Sequence, residues 1–76
     1  MRIALLGYGK MGKMVEAIAV REGCTVGPRL DVGDNPGGRG ITRDSMKGVD
    51  VAVEFSQPEA VMANIEAAAR AGVPIV

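Results

Sequence analysis

Histidine and tryptophan are missing from the 76-residue sequence, and cysteine occurs once, as Cys24. Without histidine, the chain lacks the commonest general acid–base and the commonest metal ligand. A single cysteine excludes a disulfide within the chain, and we interpret Cys24 as a small buried residue at the start of a strand. Because no residues show metal-ligand spacing either, we expect neither a catalytic residue nor a metal ligand.

Excess charge of one sign is also lacking. Nine basic and nine acidic residues cancel to a net charge of 0, and no basic stripe is present, which argues against a nucleic-acid partner. The apolar run that begins at Ile3 ends at Gly7, which is too short for a membrane span or for the core of a signal peptide. We therefore expect a cytoplasmic protein that binds neither nucleic acid nor membrane.

Aromatic residues are scarce, at 3% of the sequence, although 47% of the residues are hydrophobic. The core must therefore be built from aliphatic residues, alanine and methionine, which suits helices packed closely on a sheet. The length allows one small domain, covering residues 1–76.

The first elements are defined by a change of hydrophobic period. Residues 2–6 (RIALL) form a short apolar run before a glycine, which predicts a buried parallel strand. From Lys10, apolar residues recur at helical spacing, which predicts a helix that Gly23 ends. The face predicted to be buried consists of Met11, Met14, Val15, Ile18 and Ala19.

The middle of the chain gives weaker signals. Residues 24–31 predict a second strand, although Gly27 weakens it and Pro28 cannot donate a ladder hydrogen bond. Glycines and a proline make residues 32–40 a loop. We expect a very short third strand at 40–42 and a helical turn at 45–47.

The second half repeats the strand–helix pattern. Residues 49–55 predict a strand, and SQPE (residues 56–59) predicts a helix start capped by Ser56. The helix covers 57–71, and an apolar strand begins at 73–76. Strands that alternate with helices predict an α/β fold: a truncated, Rossmann-like, doubly wound parallel sheet with helices on both faces.

The segment GYGKMG (residues 7–12) matches G-x-G-x-x-G between the first strand and the first helix. In this motif Gly7 allows the tight turn, Gly9 lets a pyrophosphate approach the backbone, and Gly12 lets the helix pack on the strand. The amides and the dipole at the helix start favour an anion. We therefore predict a dinucleotide site that includes Tyr8, Lys10 and Met11 along with the glycines, with Tyr8 contributing mainly its backbone.

The motif also predicts an acid after the second strand that binds the adenosine ribose. Asp31 lies 19 residues after Gly12 and fits this role. A carboxylate accepts hydrogen bonds from a ribose diol and repels a 2′-phosphate, which favours NADH. Lys10, Arg29 and Arg39 could accommodate that phosphate, so NADPH stays open as a cofactor.

The strand at 49–55 should lie beside the first strand, on the side away from the second. Its end would then reach the crevice where ligands bind in doubly wound sheets, so Phe55 and Ser56 are predicted to contact the cofactor. Met11 faces either the cofactor or the core, and we favour the core. We expect the carboxylate of Glu54 to reach the strand end or to pair with an arginine.

MRIALLGYGKMG together with VDVAVEFSQPEAVMANIEAAARAGVPIV resembles the amino-terminal domain of the dihydrodipicolinate reductase family. The second segment is the more specific, because a strand that ends in Phe and Ser is followed after one residue by Pro-Glu-Ala and a helix. The resemblance implies that residues 7–12 carry the pyrophosphate, that Asp31 binds the ribose, and that Phe55 and Ser56 border the nicotinamide.

The resemblance also implies a function: hydride transfer from NADH or NADPH to a cyclic imine or enamine dicarboxylate in lysine biosynthesis through diaminopimelate. The substrate and catalytic groups of the family belong to a later domain, so we expect the chain alone to be inactive. A small-molecule substrate and a homotetramer are expected for the full-length protein. Two alternatives stay open: the cofactor domain of another dehydrogenase, such as aspartate dehydrogenase, and a non-catalytic nucleotide-sensing module.

Overall fold

The computed structural model describes the backbone of residues 1–76 and the side chains of residues 1–31 and 33–76. It consists of one parallel sheet with a helix on each face. Its strands and helices are β1 (Arg2–Leu6), α1 (Lys10–Arg21), β2 (Thr25–Leu30), β3 (Val51–Glu54) and α2 (Pro58–Ala71), with short 3-10 helices at Val32–Asp34 and Pro36–Gly38. The strand order is β2-β1-β3, so the predicted Rossmann-like topology is confirmed.

The core lies between the sheet and α2. Ala4, Leu6 and Ala52 point to this side and pack against Ala67 and Ala68 of the helix. Residues 74–76 extend the sheet beside β3: the amide of Ala52 donates to the carbonyl of Pro74 at 2.9 Å. Only one isolated bridge forms there in the described chain, so the last predicted strand is present as its beginning.

Strand β2 is continuous through Gly27 and Pro28, despite the signals against it. Its register against β1 shifts: Val26 pairs with Ile3, but Arg29 pairs with Leu5, so β2 contains one extra residue. β2 is also an edge strand of the sheet. Proline is tolerated at an edge and at a bulge because no ladder hydrogen bond is required of it there.

The predicted strand at 40–42 is wrong, since none of these residues is part of a strand. Residues 43–48 form hydrogen-bonded turns, and the amide of Met46 donates to the carbonyl of Thr42 at 3.0 Å, the i to i−4 bond of a single helical turn, which agrees with the turn predicted at 45–47. The amide of Ser45 donates to the hydroxyl of Thr42, and the amide of Thr42 donates to that of Ser45, both at 3.0 Å. These side chains satisfy backbone groups that a strand would pair with a neighbour. Ile41 is nevertheless buried in the core.

The face that α1 turns to the sheet agrees with the predicted one only at Val15 and Ala19. Gly12 is buried and Val15, Glu16 and Ala19 are half-buried, whereas Met11, Met14 and Ile18 are 59%, 56% and 49% exposed. The contact of Gly12 with the preceding loop sets this rotation, because a β-carbon at Gly12 would lie 2.7 Å from the carbonyl oxygen of Gly7. The prediction that Met11 lies in the core is therefore wrong.

Candidate functional site

A cavity of about 280 Å³ opens at the carboxyl ends of β1 and β3. Strand ends of a parallel sheet meet at one edge, and the crevice outside that edge is where doubly wound folds bind ligands. The lining comes from four parts of the chain: Gly7, Tyr8 and Gly9; Leu30 and Asp31; Asn35, Pro36 and Gly37; and Phe55, Ser56, Gln57, Glu59, Ala60 and Asn64.

The glycine loop forms one wall of this cavity. Gly7 has φ +96°, and its amide donates to the carbonyl of Leu30 at 2.7 Å, which ties the loop to the end of β2. Gly9 differs from its neighbours: among the described atoms, none lies within 4 Å of the position a β-carbon would take there. The backbone at Gly9 is thus open to a ligand, as the motif requires.

Helix α1 begins at this opening. Its N-cap is Gly9, which has no side chain to occupy the helix start. The amide of Lys13 makes the first bond of the helix, to the carbonyl of Gly9 at 3.1 Å, so the amides of residues 10–12 precede the intrahelical ladder. Such amides carry the positive end of the helix dipole and suit an anion.

Asp31 lies against the glycine loop from the other side. It is exposed directly after β2, and its carboxylate accepts a hydrogen bond from the amide of Tyr8 at 3.3 Å. Its own amide donates to the carboxylate of Asp34 at 3.1 Å, which holds the backbone in a turn. Asp31 and the glycine motif, which are separate in sequence, therefore lie side by side at the cavity.

Phe55 and Ser56 form a further wall of the cavity, beside Gly7. The amide of Phe55 donates to the carbonyl of Leu6 at 2.7 Å, and a β-carbon on Gly7 would lie 2.8 Å from the Phe55 backbone. Ser56 does not cap α2: the N-cap is Gln57, without a side-chain hydrogen bond in the described chain. The Ser56 hydroxyl instead accepts from the side-chain amide of Asn64 at 3.0 Å.

Of the nine residues predicted to bind a cofactor, the cavity brings six together: Gly7, Tyr8, Gly9, Asp31, Phe55 and Ser56. Lys10, Met11 and Gly12 form the first turn of α1 and are not part of the lining. The side chains of Lys10 and Met11 are exposed, so their predicted contribution rests on their backbone amides.

The Tyr8 side chain is held by a charged pair, Glu16 and Arg29. Its hydroxyl donates to the carboxylate of Glu16, which also forms a salt bridge with Arg29. The hydrogen bond to Glu16 raises the pKa of the Tyr8 hydroxyl, whereas hydrogen bonds from Arg29 and then Tyr8 lower the pKa of Glu16. Lys13 lies 5.7 Å from the ring centroid. Arg29, one of the three cations considered for a 2′-phosphate, is thus already paired with Glu16.

Titration of Tyr8 tests this arrangement, because Tyr8 is the only tyrosine and tryptophan is absent. We expect ultraviolet absorbance to report a phenol pKa above the usual value of about 10. Glu16→Ala should lower the pKa of Tyr8, since the carboxylate acceptor is lost and Arg29 is left beside the phenol. Glu22→Ala, just past the end of the same helix, is the control. An unchanged pKa in Glu16→Ala would contradict the contact.

Two asparagines of the site, Asn35 and Asn64, were missed by sequence reasoning. Asn64 is 1% exposed, and its carbonyl accepts from the side-chain amide of Asn35 at 2.9 Å. The signal was a lone polar residue among the apolar positions of α2. Glu54 does not pair with an arginine in the described structure; its carboxylate accepts from the Ser56 amide at 2.5 Å and from Asn64 at 2.9 Å.

Two other kinds of feature are absent from the described residues. No group of three or more His, Cys, Asp or Glu side chains comes close enough there to hold a metal ion. In the same part of the chain, neither helix has the length and apolar character needed to cross a membrane.

Comparison with known proteins gives a consistent result. The chain is 36% identical to the 4-hydroxy-tetrahydrodipicolinate reductase of Thiobacillus denitrificans over 93 aligned positions, which cover 99% of this chain and 35% of that protein. It is 34% identical over 76 residues to the same-named enzyme of Christiangramia forsetii, covering all of this chain and 30% of that one. The chain thus spans about a third of the length of these relatives.

No solved structure gives a significant match. The model of the family described as dihydrodipicolinate reductase, N-terminus, matches residues 1–76. With an open glycine loop, an acid beside it and a family match along its whole length, the chain belongs to the dihydrodipicolinate reductase family, in its amino-terminal part.

Proposed function

We propose that this chain binds NADH or NADPH and forms the cofactor part of a 4-hydroxy-tetrahydrodipicolinate reductase. The observation that carries the proposal is the arrangement of groups at the N-terminal end of α1. There the open backbone of Gly9 and the first-turn amides lie beside the carboxylate of Asp31, which accepts from the Tyr8 amide at 3.3 Å. A diphosphate fits the amides, and a ribose diol fits the acid.

The bound cofactor would supply hydride, and the chain would hold it in place. Gly9 leaves room for the diphosphate, and a β-carbon at this position would stand in that space. Phe55 and Ser56 line the cavity beside Gly7 and would border the nicotinamide. By analogy with the names of the relatives, the full-length protein would reduce a cyclic imine or enamine dicarboxylate in lysine biosynthesis.

We propose NADH as the preferred cofactor. Asp31 would accept two hydrogen bonds from the ribose and would repel a 2′-phosphate. Arg29 is paired with Glu16, which removes one cation from competition for that phosphate. No observation favours the aspartate dehydrogenase or the nucleotide-sensing alternative. Cytoplasmic localisation, the tetramer and the inactivity of the chain alone stay predictions.

Fluorescence titration with NADH and NADPH tests the proposal. We expect a micromolar-range Kd for NADH and weaker binding of NADPH. Asp31→Ala should raise the Kd for NADH about tenfold, as expected for the loss of hydrogen bonds to a charged acceptor, and should abolish the preference. Asp44→Ala, an exposed acid in the 43–48 turns, is the control. Absence of NADH binding at millimolar concentration would overturn the proposal.

A further inference from the structure

A buried amide in the middle of α2 connects two walls of the cavity. Asn64 uses both N–H groups of its side chain: one donates to the carboxylate of Glu54 at 2.9 Å and one to the hydroxyl of Ser56 at 3.0 Å. Its carbonyl accepts from Asn35 at 2.9 Å. The amide is therefore fully satisfied, and among the described side chains no buried polar atom lacks a partner.

On one side, this network holds the turn that follows β3. The Glu54 carboxylate spreads its two oxygens over two donors, the backbone amide of Ser56 and the side chain of Asn64. In the described structure Glu54 is half-buried and has no cationic partner, so its carboxylate contacts the protein through these hydrogen bonds. The backbone of Phe55 and Ser56, which lines the cavity beside Gly7, is thereby tied to α2.

On the other side, the network holds the loop that follows β2. Asn35 donates to Asn64 and accepts from the amide of Gly40 at 2.8 Å, which closes the loop around its side chain. Asn35, Pro36 and Gly37 line the cavity on the side of Asp31. Asn64 therefore contacts both the ribose-side loop and the nicotinamide-side turn of the proposed site.

We propose that Asn64 is a positioning residue of the cofactor site, which acts through Glu54 and Asn35 to hold the two walls at the separation that a dinucleotide needs. The proposal rests on the proposed function. Asn64 is polar at a position where α2 otherwise buries alanine, although an apolar residue would avoid the cost of burying an amide.

Reversal of the polarity of one hydrogen bond tests this role. Asn64→Asp keeps the shape and the acceptor for Asn35 but faces the Glu54 carboxylate without a proton to donate. Glu54→Gln keeps the shape but offers one acceptor to two donors. The double variant, which carries both changes, exchanges donor and acceptor between the two positions. In the double variant, the side-chain amide at position 54 donates to the carboxylate at position 64, and its carbonyl oxygen still accepts from the Ser56 amide.

We expect Asn64→Asp and Glu54→Gln each to raise the Kd for NADH about tenfold, and the double variant to return within about threefold of wild type. Glu54→Gln is the decisive single change. It removes a negative charge near an anionic ligand, so charge alone predicts tighter binding, whereas the positioning role predicts weaker binding.

Ala69→Gly is the matched control, because it weakens α2 at an exposed position outside the network. It should lower the melting temperature and leave the Kd within about twofold of wild type. The positioning role is overturned if Glu54→Gln binds NADH as tightly as wild type, or if the double variant binds no better than Asn64→Asp. Wild-type protein that binds no NADH overturns the proposed function, and the positioning role with it.

Discussion

Gly7→Ala should destabilise the fold by about 3 kcal/mol or more, a large part of the stability of so small a domain. Two costs add at this residue. An alanine at φ +96° is strained by about 1–2 kcal/mol. Its β-carbon would also lie 2.8 Å from the carbonyl carbon and oxygen of Phe55 and 2.9 Å from the amide nitrogen of Ser56. Urea unfolding followed by circular dichroism measures the loss.

Gly23→Ala separates the two costs. Gly23 has φ +88°, but no described atom lies within 4 Å of the position of its β-carbon, so only the backbone strain applies. We expect a loss of about 1–2 kcal/mol there. Equal losses in the two variants would show that the contact between Gly7 and the β3–α2 turn is not close.

Gly9→Asp should strongly weaken cofactor binding while preserving the fold. Gly9 has φ −90° and ψ −150°, which other residues adopt, and aspartate is a favourable N-cap. Its carboxylate would stand where the diphosphate binds. Two unit charges about 4 Å apart repel by about 4 kcal/mol at an effective dielectric of about 20. We therefore expect the Kd for NADH to rise on the order of 100-fold or more, measured by fluorescence titration.

Gly9→Asn is the control for this variant, because asparagine has nearly the same size and caps helices as well but carries no charge. It should weaken NADH binding much less than Gly9→Asp does. The melting temperatures of both variants should stay near that of wild type. Retention of wild-type affinity by Gly9→Asp would place the diphosphate elsewhere and contradict the role of the glycine loop.

The elements that carry strong local signals were predicted from the sequence. β1, β3 and both helices follow from hydrophobic period and from glycines at their ends, and the strand order follows from the alternation of strands and helices. The meeting of Asp31 with the glycine loop was also predicted, because the motif couples a strand end to a helix start. These features depend on residues that are close in sequence or on the topology alone.

What the sequence could not show depends on distant contacts. The bond between Asn35 and Asn64 joins residues 29 positions apart, and no local pattern marks it. The rotation of α1 follows from the contact between Gly12 and Gly7, whereas the apolar positions Met11 and Met14 indicated another face. Thr42 and Ser45 form a turn through their side chains, which removes the third strand of the prediction.

The bulge in β2 determines which face of the sheet Arg29 and Leu30 occupy. Alternation along a strand would place Val26 and Leu30 on one face, but after the bulge Arg29 shares the face of Leu5 and Leu30 shares that of Leu6. Arg29 thereby meets Glu16 on the α1 side, and Leu30 packs into the core below α2. If the same sequence paired with β1 without a bulge, Arg29 would lie opposite Leu6 and its guanidinium would be directed into the apolar core, while Leu30 would be directed to the α1 side of the sheet.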